Sequence, residues 1–261
     1  HSTGLWIMAD PAFAPEVKDP SIDDAFSISI KDNAGVIAGT NPMSVLIAVY
    51  SLLKKLGCKW IRPGRDGEII EEKILSPINA EYQEKADYRF RGINLDCKAS
   101  SQTAVDMGDW LPKEGMNNYF VETMKPHKYF MGFTEYEGLS EEDAKAIFNN
   151  LAAEAKKRGL KRHAVGHVWH MAAIDFRDFE RGTGVSLDEL TDEQIASISM
   201  LGGKRRLYRD DGMIFGTQLC YSQKRLRDNM VNEVIDYLKQ NPDVDYLHFW
   251  LADGCNNHCE C

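Results

Sequence analysis

The densest set of ligand-type side chains is Cys255-Asn-Asn-His-Cys-Glu-Cys261, where three thiols and His258 fall close together. Thiolate and imidazole are zinc ligands, and Cys-x2–4-Cys is a zinc-site spacing. Cys255 and Cys259 fit it, Cys261 or His258 can follow, and zinc is the metal such a set would take. A disulfide is the competing reading. Cys58, Cys97 and Cys220 stand in apolar segments and read as buried small hydrophobes.

A second set is His163, His167 and His170. On a helix this spacing would share a face. The segment after Gly159 reads instead as a strand, in which His163, Val165 and His167 point the same way. No His-Glu-x-x-His pattern supports a metal there. His167 and His170 become polar contacts at a strand end, and Trp169 is either a stacking face or core bulk. Glu122 and Glu135 lie among Tyr119, Phe120, Tyr129, Phe130, Phe133 and Tyr136. Such rings could form a carbohydrate platform or simply fill a core. Asp253 follows an apolar strand, His248 to Ala252. It is a general acid/base candidate, or it makes an Asx turn with Gly254.

These groups must be positioned by a mixed α/β chain. Leu5 to Met8 is a short strand, and Ala25 to Ile30 alternates with period two, putting Phe26, Ile28 and Ile30 on one face. Asp32-Asn33 is a hairpin turn signal, with Val36 to Ala38 returning. Asn41 caps and Pro42 opens a helix that runs to about Leu56 and stops at Gly57. Lys59 to Arg62 is another strand. Beyond it, strands are predicted at Tyr88–Leu95, Asn118–Thr123, Lys161–His167 and Tyr246–Leu251. Helices are predicted from Ser140 to Arg158, near Leu187–Leu201, and from Ser222 to Gln240. Strands alternating with helices imply right-handed crossovers and a parallel sheet.

The 261 residues carry 40 acids against 31 bases, a net charge of −9, with 43% apolar residues. That balance supports a packed core and argues against a nucleic-acid partner. The longest apolar stretch, Met43 to Leu53, is too short and too interrupted by serines to span a membrane.

Three stretches are similar to known families. Gly35-Val-Ile-Ala-Gly39, the Asn41 helix and Leu56-Gly-Cys-Lys-Trp-Ile-Arg-Pro63 resemble the accessory domain that precedes the barrel in β-hexosaminidases and α-glucuronidases. Tyr88-Arg-Phe-Arg-Gly-Ile-Asn-Leu-Asp96 resembles the first barrel strand of β-hexosaminidases. The later part, from Gly166-His-Val-Trp-His170 through Gln218-Leu-Cys220 to Asp253-Gly254 and the terminal cysteines, resembles a bacterial glycoside hydrolase-like family with an α-glucuronidase-like barrel.

The resemblance implies a small α/β sandwich domain at residues 1–80, followed at 88–261 by the first half, about four strands, of a TIM-like (β/α)8 barrel. A whole barrel needs about 250 residues, so the sequence reads as part of a longer protein. Barrel sites form at the C-terminal ends of the strands. The implied function is hydrolysis of a glycosidic bond in a polysaccharide or oligosaccharide, with uronic-acid-containing ones among the candidate substrates. The expected partner is a carbohydrate, in a periplasmic, cell-surface or secreted setting. Asp253 is then the catalytic candidate, and Arg91, Asp96, His167, Trp169 and His170 are the substrate-binding candidates. Arg91 stands where hexosaminidases carry an arginine that contacts sugar hydroxyls. Hexosaminidases place Asp-Glu where this chain has Asp253-Gly254. The missing glutamate argues against a substrate-assisted N-acetylhexosaminidase. It leaves two alternatives open: a non-catalytic carbohydrate-binding protein, and a metal-dependent hydrolase built on the terminal cysteines.

Overall fold

The hairpin signal at Asp32-Asn33 produces the turn it predicts: both residues take positive φ, 51° and 68°, as a type I′ turn requires and as Asp and Asn tolerate. The structure, a computed structural model, describes residues 4–71, 77–95, 101–122, 140–176, 184–208, 212 and 214–261. Packing divides the chain into two compact units. The first holds residues 1–120 and 125–162, and the second holds 121–124 and 163–261.

In the first unit, strands β1 (Leu5–Ala9), β2 (Ala25–Lys31) and β3 (Ala34–Gly39) share a sheet with β6 (Ala80–Lys85), in the order β1-β3-β2-β6. β2 and β3 pair antiparallel with Ile28 opposite Ile37, while β1 runs parallel to β3. Phe26, Ile28 and Ile30 are all buried, on the face that period-two alternation assigns to them. Helix α1 (Pro42–Lys55) covers that face with Ala48 and Leu52. Its first turn is closed by Asn41, whose side chain accepts a 2.9 Å bond from the Ser44 amide. Gly57 leaves the helix at φ 103°. The short strands β4 (Lys59–Trp60) and β5 (Glu68–Ile69) pair beside it.

Sequence pattern does not reveal β6, because its face is largely polar. Its one aromatic, Tyr82, meets Phe26 edge-on at 6.2 Å. Helix α2 (Ser101–Lys113) is hidden in the same way, since Gly108 and Pro112 read as breakers. Pro112 sits one residue from the helix end, where a kinked last turn costs least, and Leu111 is fully buried. The strand predicted over Tyr88–Leu95 is shorter, β7 (Gly92–Asn94). The carbonyls of Tyr88 and Arg89 accept from the Arg91 guanidinium, and that of Arg89 also from Asn117, rather than from a ladder.

β7 pairs parallel with β8 (Asn118–Val121), and helix α3 (Glu141–Lys157), capped by Ser140, packs on α2. β9 (Lys161–Gly166) pairs parallel with the last strand, β12 (Tyr246–Phe249). The parallel sheet has the order β12-β9-β8-β7. The fold is therefore mixed α/β with a four-stranded parallel sheet.

The core of the second unit gathers Ala164, Val165, Trp169, Ile198, Ile214, Leu219, Leu226, Met230 and Tyr237. It is built by β9, α4 (Trp169–Ala173) and α6 (Lys224–Gln240) with the segments between them, and Ile195 of α5 (Asp192–Ser197) packs against it. β10 (Met200–Leu201) and β11 (Lys204–Arg205) pair as an antiparallel hairpin. The single helix expected near Leu187–Leu201 is not formed. Ser186 and Thr191 each start a new turn. Glu189 accepts from the Ser186 amide at 2.7 Å and Gln194 from the Thr191 amide at 2.9 Å. Two successive capping pairs break the segment into a 3-10 turn and a short helix.

Candidate active site and cysteine cluster

Backbone strain marks the end of β9. Val165, Gly166 and Val168 all have positive φ, at 69°, 102° and 81°. For a β-branched residue this costs about 1–3 kcal/mol and persists only where the surroundings hold it. Glycine is required at 166. A Cβ there would meet the Trp250 ring at 2.9 Å and Glu122 at 3.0 Å. The strained turn places His167 at the strand end, 86% of its side chain buried.

His167 brings two acids together. Its Nδ1 lies 3.0 Å from the Leu251 carbonyl oxygen, which can only accept, so Nδ1 carries a hydrogen. Its Nε2 lies 3.1 Å from Asp253 Oδ1 and 3.6 Å from Glu122 Oε1. A bare nitrogen lone pair would face two acceptors, so the arrangement calls for a hydrogen on Nε2 or on one of the carboxyls. Glu122 follows the last residue of β8, His167 the last residue of β9, and Asp253 lies four residues beyond β12. All three belong to the second unit. An imidazole beside two carboxyls is a residue set that general acid–base chemistry uses. The Asp253 side chain is half exposed, at 57%, and Glu122 is mostly covered, at 19%.

Aromatic rings border this centre. Trp250 meets His167 edge-on at 4.9 Å and Phe215 meets it at 5.4 Å. Trp250 is partly exposed, whereas Trp169 is fully buried. The Trp169 indole donates to the His248 carbonyl at 2.9 Å and stacks on Phe249, so its ring belongs to the core. His163 Nδ1 and His248 Nε2 lie 2.9 Å apart, and burial lowers the pKa of both. His170 is also buried, its Nε2 3.0 Å from the Phe215 carbonyl oxygen. Burial pushes its pKa down to about 4, so the ring is neutral near neutral pH.

The remaining predicted residues lie elsewhere. Asp96, Cys97 and Glu135 fall outside the described residues. Arg91 belongs to the first unit. Its guanidinium donates to the carbonyls of Gly115, Tyr88 and Arg89 and, at 2.7 Å, to Asp24. Asp24 is 94% buried and also accepts from Ser44 and Asn117, at 2.8 Å each. A cavity of about 260 Å³ in that unit is lined by Arg65, Glu68, Asp106, Asp109 and Arg158 among others. Its acids are balanced: Lys113 bridges Glu68 and Asp109, and Arg158 holds Asp109. At Gly254 a Cβ would lie 2.0 Å from the Gly216 carbonyl oxygen. No side chain fits on this backbone at that position.

The terminal cysteines do gather, with a partner their spacing does not nominate. Cys220, Cys259 and Cys261 bring their sulfurs within 4.8 Å of one another. These three thiols could coordinate a metal ion. Cys255 and His258 are not in the group, and the Cys255 sulfur lies 4.0 Å from the Asp253 carbonyl oxygen. Burial works to raise the Cys220 thiol, but hydrogen bonds with Ser222, Cys259, Gln223 and Arg205 outweigh it and hold the pKa below the usual thiol value.

The sequence marks Glu122 only as one of two acids among aromatics and does not rank it with the site. The strand predicted to run through Thr123 ends at Val121, which turns Glu122 from a strand residue into a strand-end residue. A tighter limit on strand length is the signal that would find it.

No helix among the described residues is long and apolar enough to cross a membrane. No protein-family model matches the chain, and no curated protein matches it. Among solved structures, CpGH89 from Clostridium perfringens is similar to it. That protein was solved with two Glu-to-Gln substitutions, in complex with its substrate GlcNAc-α-1,4-galactose. The match covers 93% of this chain at 14% identity with a TM-score of 0.48. It takes in 29% of the CpGH89 chain, so this chain spans under a third of that protein's length.

Proposed function

We propose that the chain is part of a glycoside hydrolase-like protein and that Asp253, His167 and Glu122 are the acid–base centre of its carbohydrate site. The observation that carries this reading is the meeting of the three side chains within 3.6 Å of one nitrogen, beyond the ends of parallel strands. Sites of (β/α)8 barrels form at such ends. Within this reading residues 1–80 are the accessory domain and 88–261 supply the first barrel strands.

Glycosidases work with two carboxyl groups about the scissile bond. Asp253, the more exposed, donates a proton to the leaving glycosidic oxygen as the C–O bond breaks. Glu122 faces the positive charge that develops on the sugar, and a water adds at the anomeric carbon, its proton passing back to the acid–base centre, to complete hydrolysis. His167 is a positioning residue: its Nδ1 bond to the Leu251 carbonyl fixes the ring, and Nε2 returns a proton to Asp253. Trp250 offers the stacking face that residue type alone assigns to Trp169. Arg91 is left out, since a sugar contact would require it to abandon buried Asp24. An extracytoplasmic setting follows the sequence resemblance, and protease accessibility on intact cells tests it.

The test is turnover of neutral and uronic-acid-containing oligosaccharides by the wild type, Asp253→Asn and Glu122→Gln. Turnover should fall about 10³-fold in each variant, with sugar binding retained. Variants that hydrolyse as fast as the wild type overturn the assignment. The glycine at 254 favours a second reading, a carbohydrate-binding protein on the same scaffold. Binding by the wild type without turnover of any of these sugars would support it.

A further inference from the structure

From the packing of the last residues we infer that Cys220, Cys259 and Cys261 form a three-thiolate zinc site that fastens the segment carrying Asp253. Cys220 and Cys261 sulfurs are 3.6 Å apart. A disulfide would hold them at about 2.05 Å. A tetrahedral zinc with bonds of about 2.3 Å spaces its sulfurs about 3.8 Å apart. The observed separation matches the edge of a zinc tetrahedron.

The surroundings also suit sulfur carrying negative charge. The Met200 amide donates to Cys259 Sγ at 3.2 Å, and the Arg205 guanidinium lies 4.0 Å from the same sulfur. Ser222 Oγ sits 3.1 Å from both Cys220 and Cys261. Donors of this kind orient and stabilise metal-bound thiolates. On binding, one Zn²⁺ replaces the three thiol protons, which leave to solvent, and a water completes the tetrahedron. The three thiolates and the dication sum to a single negative charge, and Arg205 is the cation beside it.

The site would have a mechanical task. Residues 250–261 carry no regular secondary structure. They are held by hydrogen bonds such as Gln218 to the Ala252 carbonyl, Asn257 to the Gly216 carbonyl, the Glu260 amide to the Met200 carbonyl, and the Gly202 amide to the Glu260 carboxylate. A zinc bound by Cys220 and by Cys259 and Cys261 would tie this segment to the start of α6. That tether is separate from the chemistry proposed for Asp253, so its test does not read activity.

The experiment purifies the 261-residue chain under reducing conditions with zinc, dialyses it against a weak chelator, and measures metal per chain. Cobalt(II) is then titrated into the metal-free protein. One zinc should be retained, and cobalt should give intense thiolate-to-metal charge-transfer absorption. Cys220→Ser should lose the zinc and most of that absorption, while Cys255→Ser should keep both. If Cys220→Ser does not fold, free-thiol counting on the wild type decides. Zinc should shield three thiols from alkylation until the chelator is strengthened. The proposal is overturned if no zinc is retained, if cobalt gives no charge-transfer band, if Cys255→Ser abolishes binding, or if intact mass shows a Cys220–Cys261 disulfide.

Discussion

Two of the acid groups among the described residues are balanced in opposite ways. In the first unit Asp24 and Asp23 face arginines. Arg91 bonds Asp24, and Arg89 reaches both oxygens of Asp23 at 2.6 and 3.0 Å. The Arg89 hydrogen bond holds Asp23 below the usual carboxylate range. In the second unit Glu122 and Asp253 face a histidine. An arginine keeps its charge at every accessible pH and so locks an acid in one state. An imidazole trades its proton near neutrality and leaves the acid able to change state. The first arrangement holds a fold together, and the second is where we propose the chemistry. An Asp on a strand-end loop and an Asp under an arginine look alike in sequence, and only the fold shows which partner each one meets.

The sharpest way to break this comparison is to remove an acid from each side. Asp253→Asn should lower oligosaccharide turnover about 10³-fold while leaving the denaturant midpoint close to wild type. Asp24→Ala should do the reverse. It leaves Arg91 without its charge partner inside the first unit, and losing one member of a buried pair costs about 3–5 kcal/mol. Urea unfolding followed by circular dichroism measures it, and an effect below about 1 kcal/mol, the size of a surface pair, would show that the Asp24 network is not structural.

Next in size is the pH response of the second unit. An unfolded His170 takes up a proton as pH falls through about 6.5, whereas the folded one, depressed by burial, does so only at about pH 4. Between these values the unfolded chain binds more protons, so stability falls as pH falls, by up to roughly 3 kcal/mol. Above about pH 6.5 the group contributes no slope. His163 and His248, also lowered by burial, act in the same direction. His170→Gln should flatten the slope of unfolding free energy across this window, and an unchanged slope would assign the pH dependence to other groups.

The smallest effect sharpens the comparison at the strained turn. Gly166→Ala puts a Cβ against Trp250 and Glu122 at a φ of 102°, which should cost about 1–3 kcal/mol. Because the displaced groups border His167, turnover should fall together with stability. The matching change at Gly115, also at positive φ but open around its Cβ, should destabilise without touching turnover.

Much of the framework is legible in the amino-acid sequence itself. The Asp32-Asn33 hairpin, the capped helix from Asn41, the Ser140 helix and the closing helix each rest on signals only a few residues apart. Caps, turn residues and apolar periodicity act locally, so the sequence displays them directly. The site is legible only in parts. Asp253 and His167 stand out because they follow strands. Glu122 is obscured because residue pattern carries the strand two residues too far, and Trp169 is as good a stacking candidate as Trp250 until burial separates them, because residue type does not reveal which ring is covered.

What the sequence alone determined about this protein is its mixed α/β rhythm, its acidic balance and the candidates that follow parallel strands. What only the tertiary structure decided is who meets whom. Cys220 joins Cys259 and Cys261 across the chain, Arg91 turns inward onto Asp24, and Glu122 and Asp253 converge on one imidazole. Those meetings depend on strand register, on backbone strain at Val165 and Val168, and on loop closure between distant segments. No local pattern records them, because the free energy that creates them comes from packing rather than from neighbours along the chain.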